Sequence, residues 1–309
     1  MPSPTARQSH IDTALTNISI GYRNAQYIAE QIFPAVPVGK QSDKFFTFTK
    51  ADFFRDEAGV RAPGTRAARV AYNISTDSYL CVEKAAAKQV TDDEIANADA
   101  PLDPMRTATE YVTDKLLMAK EVEVLSNVFG TGWAASATPS TLWDVDTSDP
   151  LGDIETGLNT VEKAIGRPVN IASLGRGLWS HLKVHPDIID HLKGGATSQN
   201  PAIVTLAALA ALIEVEKVLI ARAIKNSSAE GAAASYDYIA GLHMFLGFVT
   251  NAPALATPSA GYLFAWKRRQ VNRYREDQEH ADVVECLESW DTKLTATDAG
   301  YLIKSAASS

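Results

Sequence analysis

Three histidines lie close together in the sequence, and their spacing is that of a candidate zinc site. His181 and His185 are four residues apart, which places two imidazoles on one face of a helix, and His191 follows. The zinc-hydrolase pattern needs a glutamate directly after the first histidine, but Leu182 stands there. Pro186 directly follows the second histidine and is expected to break the helix. We therefore predict exposed helix histidines, with no bound metal and no other cofactor.

Other patterns of catalysis and cofactor binding are incomplete. Gly130 and Gly132 lack the third glycine of a dinucleotide fingerprint, and the chain has neither a GxxxxGK[ST] phosphate loop nor a GxSxG nucleophile turn. The acidic run Asp92–Glu94 fits the first turn of a helix better than a cation site. The sequence thus predicts no catalytic residue. A site assembled from distant residues, in an α/β enzyme or binding domain, stays open as an alternative.

A basic run near the C-terminus is the candidate for nucleic-acid binding. Its members are Lys267, Arg268, Arg269, Arg273 and Arg275. An acidic run follows at once, made of Glu276, Asp277, Glu279, Asp282, Glu285 and Glu288. Neighbouring strands of opposite charge favour cross-strand or intersubunit ion pairs over a DNA patch. The formal net charge of -8 also argues against tight nucleic-acid binding.

Composition indicates a globular protein. The chain has 309 residues, of which 46% are hydrophobic and 21% charged, and this length suggests about two domains. Its two cysteines, Cys81 and Cys286, fit a reducing cytoplasm, although one bridge within or between subunits stays open. The N-terminus has no apolar core typical of a secretory signal. The longest apolar run, Leu206–Ile213, is too short to span a bilayer, so no membrane partner is expected.

The first ninety residues read as an arm followed by a hairpin. Residues 1–40 are polar, with a short helical stretch at Gln26–Ile32 that Pro34 and Pro37 stop. Residues 41–90 predict a long β-hairpin, with strands in KFFTFTKADFF and in RVAYNIST continued by SYLCVEK, around the turn DEAGVRAPG. Five of the ten phenylalanines lie on its first strand. An isolated ribbon cannot bury them, so we expect the hairpin to lie against another body.

The rest of the chain predicts one long helix, an α/β domain and a terminal set of strands. Asp103 is a good N-cap with Pro104 at the first helical position. The apolar residues that follow recur at helical spacing: Met105, Ala108, Val112, Leu116, Ala119, Val122, Leu125 and Phe129. This spine helix is about 40 Å long at 1.5 Å per residue. Helices and strands then alternate over 151–250, which predicts a mixed sheet, and period-two patterns over 260–309 predict antiparallel strands.

This order of elements, with several phrases, resembles the major capsid proteins of tailed bacteriophages. IAEQIFPAVPV is similar to the segment that leads into their extended loop, and AAAKQVTDDEIANADAPLDP resembles their transition to the spine helix. KVLIARAIKNSSAEG, YIAGLHMFLGFV and PSAGYLFAW resemble the late segments of that family. The resemblance covers nearly the whole chain. It implies the α+β Hong Kong 97-type capsid fold and a structural protein, not an enzyme, that self-assembles into an icosahedral shell enclosing double-stranded DNA.

The resemblance also implies a division of the chain and a set of partners. Residues 1–40 would be the N-terminal arm, 41–90 the extended loop, 91–150 with 256–309 the periphery domain, and 151–255 the axial domain. Pentamers and hexamers would form around the axial domains. Since no helical leader precedes the arm, the resemblance implies a separate scaffolding protein or a removed leader. It also implies a portal, an optional decoration protein, weak non-specific contact with packaged DNA, synthesis in the host bacterial cytoplasm and a place in the virion.

Contacts between subunits are expected from the hairpin and from the basic run. The hypothesis comprises Phe45, Phe46, Phe48, Phe53, Phe54, Asp52, Arg55, Asp56, Glu57, Arg61, Arg66, Arg69, Arg268, Arg269 and Arg273. The phenylalanines would supply apolar area and the charges would set register with a neighbour. An encapsulin-like bacterial compartment, which has the same fold but encloses enzymes, is the nearest alternative.

Overall fold

A computed structural model describes most of the chain. The residues described are 10–11, 15–16, 19, 27–47, a few positions between 56 and 69, 75–99, 102–193, 204–228, 231–253 and 257–308. Within them the strands are β1 (His10–Ile11), β2 (Ala35–Pro37), β3 (Ser42–Thr47), β4 (Ser75–Leu80), β5 (Val82–Thr91), β6 (Ala135–Ala137), β7 (Ile171–Gly175), β8 (Lys217–Ala221), β9 (Ile224–Asn226), β10 (Tyr236–Tyr238), β11 (Met244–Gly247), β12 (Gly261–Glu276), β13 (Ala281–Leu294) and β14 (Gly300–Ile303). The helices are α1 (Ala29–Ile32), α2 (Asp92–Ala96), α3 (Pro104–Val128), α4 (Pro150–Ile165), α5 (Arg176–Leu182), α6 (Pro186–Lys193) and α7 (Leu206–Leu212).

Two long C-terminal strands form the centre of the first sheet, here called the long sheet. Its strand order is β1-β12-β13-β5, with β2 also paired to β12. The antiparallel register of β12 and β13 runs from Gly261 opposite Leu294 to Glu276 opposite Ala281, with irregularities between Ala265 and Gln270. The predicted antiparallel strands of this region are confirmed. They are fewer and longer than the pattern indicated, because pairing continues through those bulges.

The second sheet, here called the short sheet, has the order β6-β14-β11-β7-β8. β7 and β8 are parallel, and β11 runs antiparallel to both β7 and β14, so the predicted mixed sheet is confirmed. Every residue of β7, β11 and β14 is buried. Strands covered on both faces lack the period-two alternation of half-exposed strands. This explains why the sequences of these strands are short continuous apolar runs without alternation.

The helices around the short sheet begin at residues with capping side chains, and one of them ends at a glycine in the left-handed conformation. The Asp149 side chain accepts a hydrogen bond from the Gly152 N–H at the start of α4, which ends at Gly166 with a φ of 67°. Thr205 caps α7 in the same way through the Ala208 N–H. Side-chain N-caps satisfy otherwise free N–H groups, and glycine adopts the left-handed C-terminal conformation without a Cβ clash. Both helices belong to the alternation of helices and strands predicted over 151–250, which is confirmed.

The spine helix α3 packs against β13 and β5 of the long sheet. Its predicted start is confirmed, since the Asp103 carboxylate accepts hydrogen bonds from two N–H groups of the first turn. The predicted apolar stripe is buried at Ala108, Val112, Leu116 and Leu125, but it is interrupted at Ala119, which is exposed, and at Val122, which is only half-buried. Lys120 and Glu121 are buried in their place. Buried charges need partners, and both side chains have them.

Three strands pair differently from the division expected from the sequence. β6 and β14 lie in the short sheet, although both were expected in the periphery domain. The second hairpin strand was predicted to continue from 78 to 84, but it is divided at Cys81: β4 pairs with β3, and β5 pairs with β13. The Cys81 N–H donates to the Gln41 carbonyl oxygen and its thiol contacts the Phe264 carbonyl oxygen. These bonds hold the chain at the point where it passes between the sheets.

Both cysteines are buried and unpaired, which excludes the bridge within one chain that the sequence left open. Cys81 lies in a small cluster with Tyr79, Tyr262 and Phe264, and Cys286 lies in the main core. Burial raises the pKa of both thiols. Separately, in the part of the chain described here, no helix combines the length and apolar character needed to cross a bilayer.

Candidate functional site

The base of the hairpin has an inner face that packs on its own chain. β3 and β4 are antiparallel, with Phe45 opposite Asp77 and Asp43 opposite Tyr79. The Phe45 and Phe264 ring centroids are 5.3 Å apart, and Tyr79 stacks on Phe264 at 4.7 Å. Side chains on a strand alternate between faces, so only every second residue reaches this contact. Phe45, predicted to need a neighbouring body, is therefore already half-buried within its own chain.

The outer face of the same hairpin exposes two large apolar side chains among polar ones. Phe46 is 62% exposed and Leu80, on the same face, is 54% exposed. Phe46 also borders a cavity of about 330 Å³, whose other lining residues are Phe45, Pro253, Thr257, Pro258, Ser259, Tyr262, Phe264, Thr295 and Ala296. Large exposed apolar groups beside an apolar cavity are typical of a protein contact.

The tip of the hairpin is described at only a few positions. Asp56, Arg61, Arg66 and Arg69 are exposed there. The other predicted contact residues of the hairpin lie outside the described residues: Phe48, Asp52, Phe53, Phe54, Arg55 and Glu57. The predicted interface of the tip therefore stays a prediction.

The basic run of β12 forms ion pairs within the chain. Arg273 contacts Asp282 on β13 at 2.7 Å, and Arg269 lies 3.5 Å from Glu288. Arg269 also donates to the Ser19 carbonyl oxygen. The predicted cross-strand pairing is confirmed for these two arginines, which have partners before any neighbour is considered. Arg268 and Arg273 are both exposed, so the ion pair of Arg273 leaves part of its side chain open to solvent.

Arg275 joins the end of β12 to the acidic run that begins α2. Its two terminal nitrogens donate to both carboxylate oxygens of Asp92, each at 2.6 Å. This bidentate contact lowers the pKa of the Asp92 carboxyl and raises that of Arg275. Thr91 and Glu94 form a capping box around the same turn. The prediction that the acidic run begins a helix is confirmed.

A second exposed ribbon, β9 with β10, was not predicted as a hairpin. Ile224 pairs with Tyr238 and Asn226 with Tyr236, so these four side chains share one face. Ile224, Tyr236 and Tyr238 are 47%, 67% and 46% exposed. The Asn226 carboxamide oxygen accepts from the N–H groups of two loop serines and organises the turn. The signal was present as alternation on both sides of a Gly/Ala/Ser loop.

The three histidines have different surroundings in the structure. The prediction of exposed helix histidines is wrong for His185, which is buried between α5 and α6. Its Nδ1 accepts from the Asp187 N–H at 3.3 Å, so Nε2 carries the proton and donates to Ser148 Oγ at 3.0 Å. Among the described residues, no group of three or more His, Cys, Asp or Glu side chains can hold a metal ion.

A cluster of buried charges lies where α1, the spine helix and the long sheet meet. The Lys120 amine is 2.6 Å from a Glu288 carboxylate oxygen and 3.1 Å from one of Glu30. The neighbouring Glu121 side chain is fully buried and accepts hydrogen bonds from the N–H groups of Ile28 and Ala29. Burial raises the pKa of the Glu121 carboxyl. No sequence pattern marked this cluster, because its members come from distant segments.

Two curated relatives match over most of their length. The chain is 30% identical over 226 residues to the major capsid protein of Pseudomonas phage JBD67, covering 72% of this chain and 71% of the relative. It is 27% identical over 305 residues to the major capsid protein of Burkholderia phage BcepMu, covering 95% of each. No family model matches the chain.

Solved structures give the same result at the level of the fold. A phage-related protein from Bordetella bronchiseptica RB50 aligns with a TM-score of 0.74 at 25% identity, over 96% of this chain and 98% of that one. The capsid of cyanophage P-SCSP1u aligns with a TM-score of 0.59 at 8% identity, over 98% of this chain and 92% of that one. The second likeness is evidence for the fold alone. With the spine helix, the two sheets and the hairpin, these relatives identify the chain as a Hong Kong 97-type shell protein that belongs to the major capsid proteins of tailed phages.

Proposed function

We propose that copies of this structural protein close an icosahedral shell around double-stranded DNA by joining through two exposed ribbons. The observation that supports this most strongly is the outer face of the hairpin, where Phe46 and Leu80 are open to solvent. A two-stranded ribbon with exposed apolar side chains is marginal by itself, so contact with a neighbour would stabilise it. The protein acts by assembly, and the proposal includes no catalysed reaction and no cofactor.

We assign the segments of the subunit to domains according to the family architecture. We assign residues 1–40 to the arm, 41–90 to the extended loop, 91–150 with 256–309 to the periphery and 151–255 to the axial domain, apart from β5, β6 and β14 as described. In this division the β9–β10 ribbon belongs to the axial domain, around which pentamers and hexamers would form. Tyrosine is enriched at protein interfaces, which favours Tyr236 and Tyr238 as contacts around that axis.

The hairpin contact can be tested with a matched pair of variants on one face. Phe46→Asp places a charge where the proposal requires apolar burial. Ser78→Asp adds the same charge on the same outer face, opposite Lys44, without removing an apolar group. We expect both variants to give folded subunits by circular dichroism, with closed shells in electron micrographs from Ser78→Asp only. Normal shells from Phe46→Asp would contradict the proposal.

The charges of the tip are proposed to set the register of this contact. Arg61 and Arg66 are exposed, and arginine can hold a partner's carboxylate at two points. Arg61→Glu with Arg66→Glu should therefore give folded subunits that assemble slowly or into aberrant particles, with a defect that changes with salt. Assembly yield across a salt series measures this effect. Wild-type yield at every ionic strength would leave these arginines as solvated surface charges.

The contents of the particle separate this proposal from an encapsulin-like compartment. Several basic residues of β12 are neutralised within the chain, and the net charge is -8, so contact with packaged DNA should be weak and non-specific. We also propose synthesis in the host bacterial cytoplasm, a separate scaffolding protein, a portal and an optional decoration protein. Particles made with the neighbouring reading frames should contain nuclease-protected DNA. A protein cargo in place of DNA would favour the compartment.

A further inference from the structure

The arm helix α1 is capped by a residue of another helix. Its N-cap position is Ile28, which has no side-chain acceptor. The Glu121 carboxylate acts as the cap instead. Its Oε2 accepts hydrogen bonds from the Ala29 N–H at 2.7 Å and from the Ile28 N–H at 3.1 Å. Its Oε1 also lies 3.1 Å from the Ile28 nitrogen. A carboxylate at a helix N-terminus satisfies N–H groups that the helix itself cannot. Glu121 therefore holds the arm to the spine helix.

The next residue on the spine helix holds the same arm segment. The Lys120 amine bonds to Glu30 of α1 and to Glu288 of β13, at 3.1 and 2.6 Å. Four residues are too few to form a stable helix in isolation, so α1 depends on its contacts for its structure. Ile32 and Phe33 are fully buried and anchor its C-terminal end. The polar bonds at the N-terminal end are thus the part of the docking that a change of charge can alter.

We propose that Glu121 is a proton-sensitive clasp for the arm, holding α1 more tightly when its carboxyl group is neutral. The charged groups around it come from each packed element: Lys120 and Glu123 on the spine helix, Glu30 on α1, Arg269 on β12 and Glu288 on β13. The Glu123 carboxylate forms an ion pair with Lys84 and accepts a hydrogen bond from the Trp290 indole N–H. Among the described residues, Lys120 and Arg269 pair with Glu30 and Glu288, and neither forms an ion pair with Glu121, so an ionised Glu121 is a fully buried carboxylate held by N–H groups.

The geometry allows the neutral form to keep the cap. Since Oε2 accepts from both arm N–H groups, Oε1 can carry the proton without loss of those two bonds. Burial raises the pKa of Glu121 in the docked arm, whereas in a released arm the exposed carboxyl has its ordinary value. The docked state therefore binds the proton more strongly. Docking strengthens as pH falls through the raised value and weakens as pH rises through it, by at most about tenfold per pH unit for one proton.

Hydrogen exchange of the full-length chain between pH 8 and pH 5 tests the clasp. Protection of the amides at 28–33 is compared after correction for intrinsic exchange, with the amides of β11 as an internal reference. We expect wild-type arm protection to rise on acidification. Glu121→Gln, which mimics the neutral acid, should give high protection at all pH values. Glu121→Ala should give low protection throughout, because no acceptor remains.

Each alternative outcome decides against the clasp. Arm protection that is independent of pH in the wild type would remove the proton dependence. Persistence of that dependence in Glu121→Gln would assign it to another group, and Glu30→Gln, which changes the exposed carboxylate of the same cluster, identifies that case. Wild-type protection in Glu121→Ala would mean that Ile32 and Phe33 hold the arm without the carboxylate. The clasp concerns the single subunit and does not depend on the proposed contacts between subunits.

Discussion

The short sheet and the long sheet of this protein are covered by different kinds of side chain. β11 and β14 of the short sheet are buried throughout, and Phe245 packs against Trp133 with ring centroids 4.7 Å apart. The long sheet instead buries Lys120, Glu121 and Glu288 beneath the spine helix. Apolar burial responds little to pH or salt, whereas buried charges respond to both when protonation changes. We therefore expect the stability of the long sheet to depend on pH and salt, and that of the short sheet to change little with either.

The largest effect is expected from a cavity in the short sheet. Phe245→Ala removes a fully buried ring and should cost about 3–5 kcal/mol in the free energy of unfolding. Urea unfolding of free subunits at pH 5 and pH 8 measures this loss, which should be the same at both. Phe46→Ala, at a position 62% exposed, is the control and should change subunit stability by under about 0.5 kcal/mol. A loss in Phe245→Ala that varies strongly with pH would contradict the expectation that the stability of the short sheet is independent of pH.

A smaller loss is expected in the long sheet, and a second substitution should recover part of it. Lys120→Met leaves Glu288 buried with only Arg269, 3.5 Å away, and should cost about 3 kcal/mol, the lower end for a broken buried pair. Lys120→Met with Glu288→Gln replaces this weakly paired carboxylate with a neutral carboxamide. The double variant should therefore be more stable than the single one. The coupling energy from unfolding of all four proteins is the measurement, and simple additivity would mean that Lys120 acts through packing.

The smallest effect concerns the exposed end of the long sheet. The Arg275 guanidinium lowers the pKa of Asp92, so this pair adds stability that is complete above the ordinary aspartate value of about 3.9. That stability is lost as pH falls through the lower folded value. Asp92→Asn should thus be slightly less stable than the wild type at neutral pH and equal to it in strong acid. Acid unfolding curves measure this difference, with Asp93→Asn as the control. A difference that persists in strong acid would assign the effect to the helix cap.

Local chemistry made much of the fold predictable from the sequence. Asp103, Gly166 and Thr205 carry cap signals that act over a few residues, and each marks a helix end in the structure. The hairpin and the charged strands were recognisable because period-two alternation and opposite charge are also short-range patterns. The resemblance to the capsid family then supplied the order of the parts.

The failures share a cause, which is dependence on distant partners. The apolar stripe predicted for the spine helix omits Lys120, whose carboxylate partners lie 90 and 168 residues away in the sequence. His185 looked exposed because nothing nearby in the pattern indicated its bond to Ser148, 37 residues earlier. The sequence pattern did not indicate that β14 pairs with β11 and β6, because a strand covered on both faces carries no sign of its neighbours.

The position of β14 has a consequence for synthesis on the ribosome. This strand, Gly300–Ile303, follows every other described strand in the chain, yet it lies inside the short sheet between β6 and β11. The long sheet likewise needs β12 and β13 before β1, β2 and β5 have a partner. Neither sheet can therefore close before the ribosome has made these late strands. A chain that terminates before β14 lacks an inner strand of the short sheet, so translation errors of this kind should yield subunits that cannot complete that sheet.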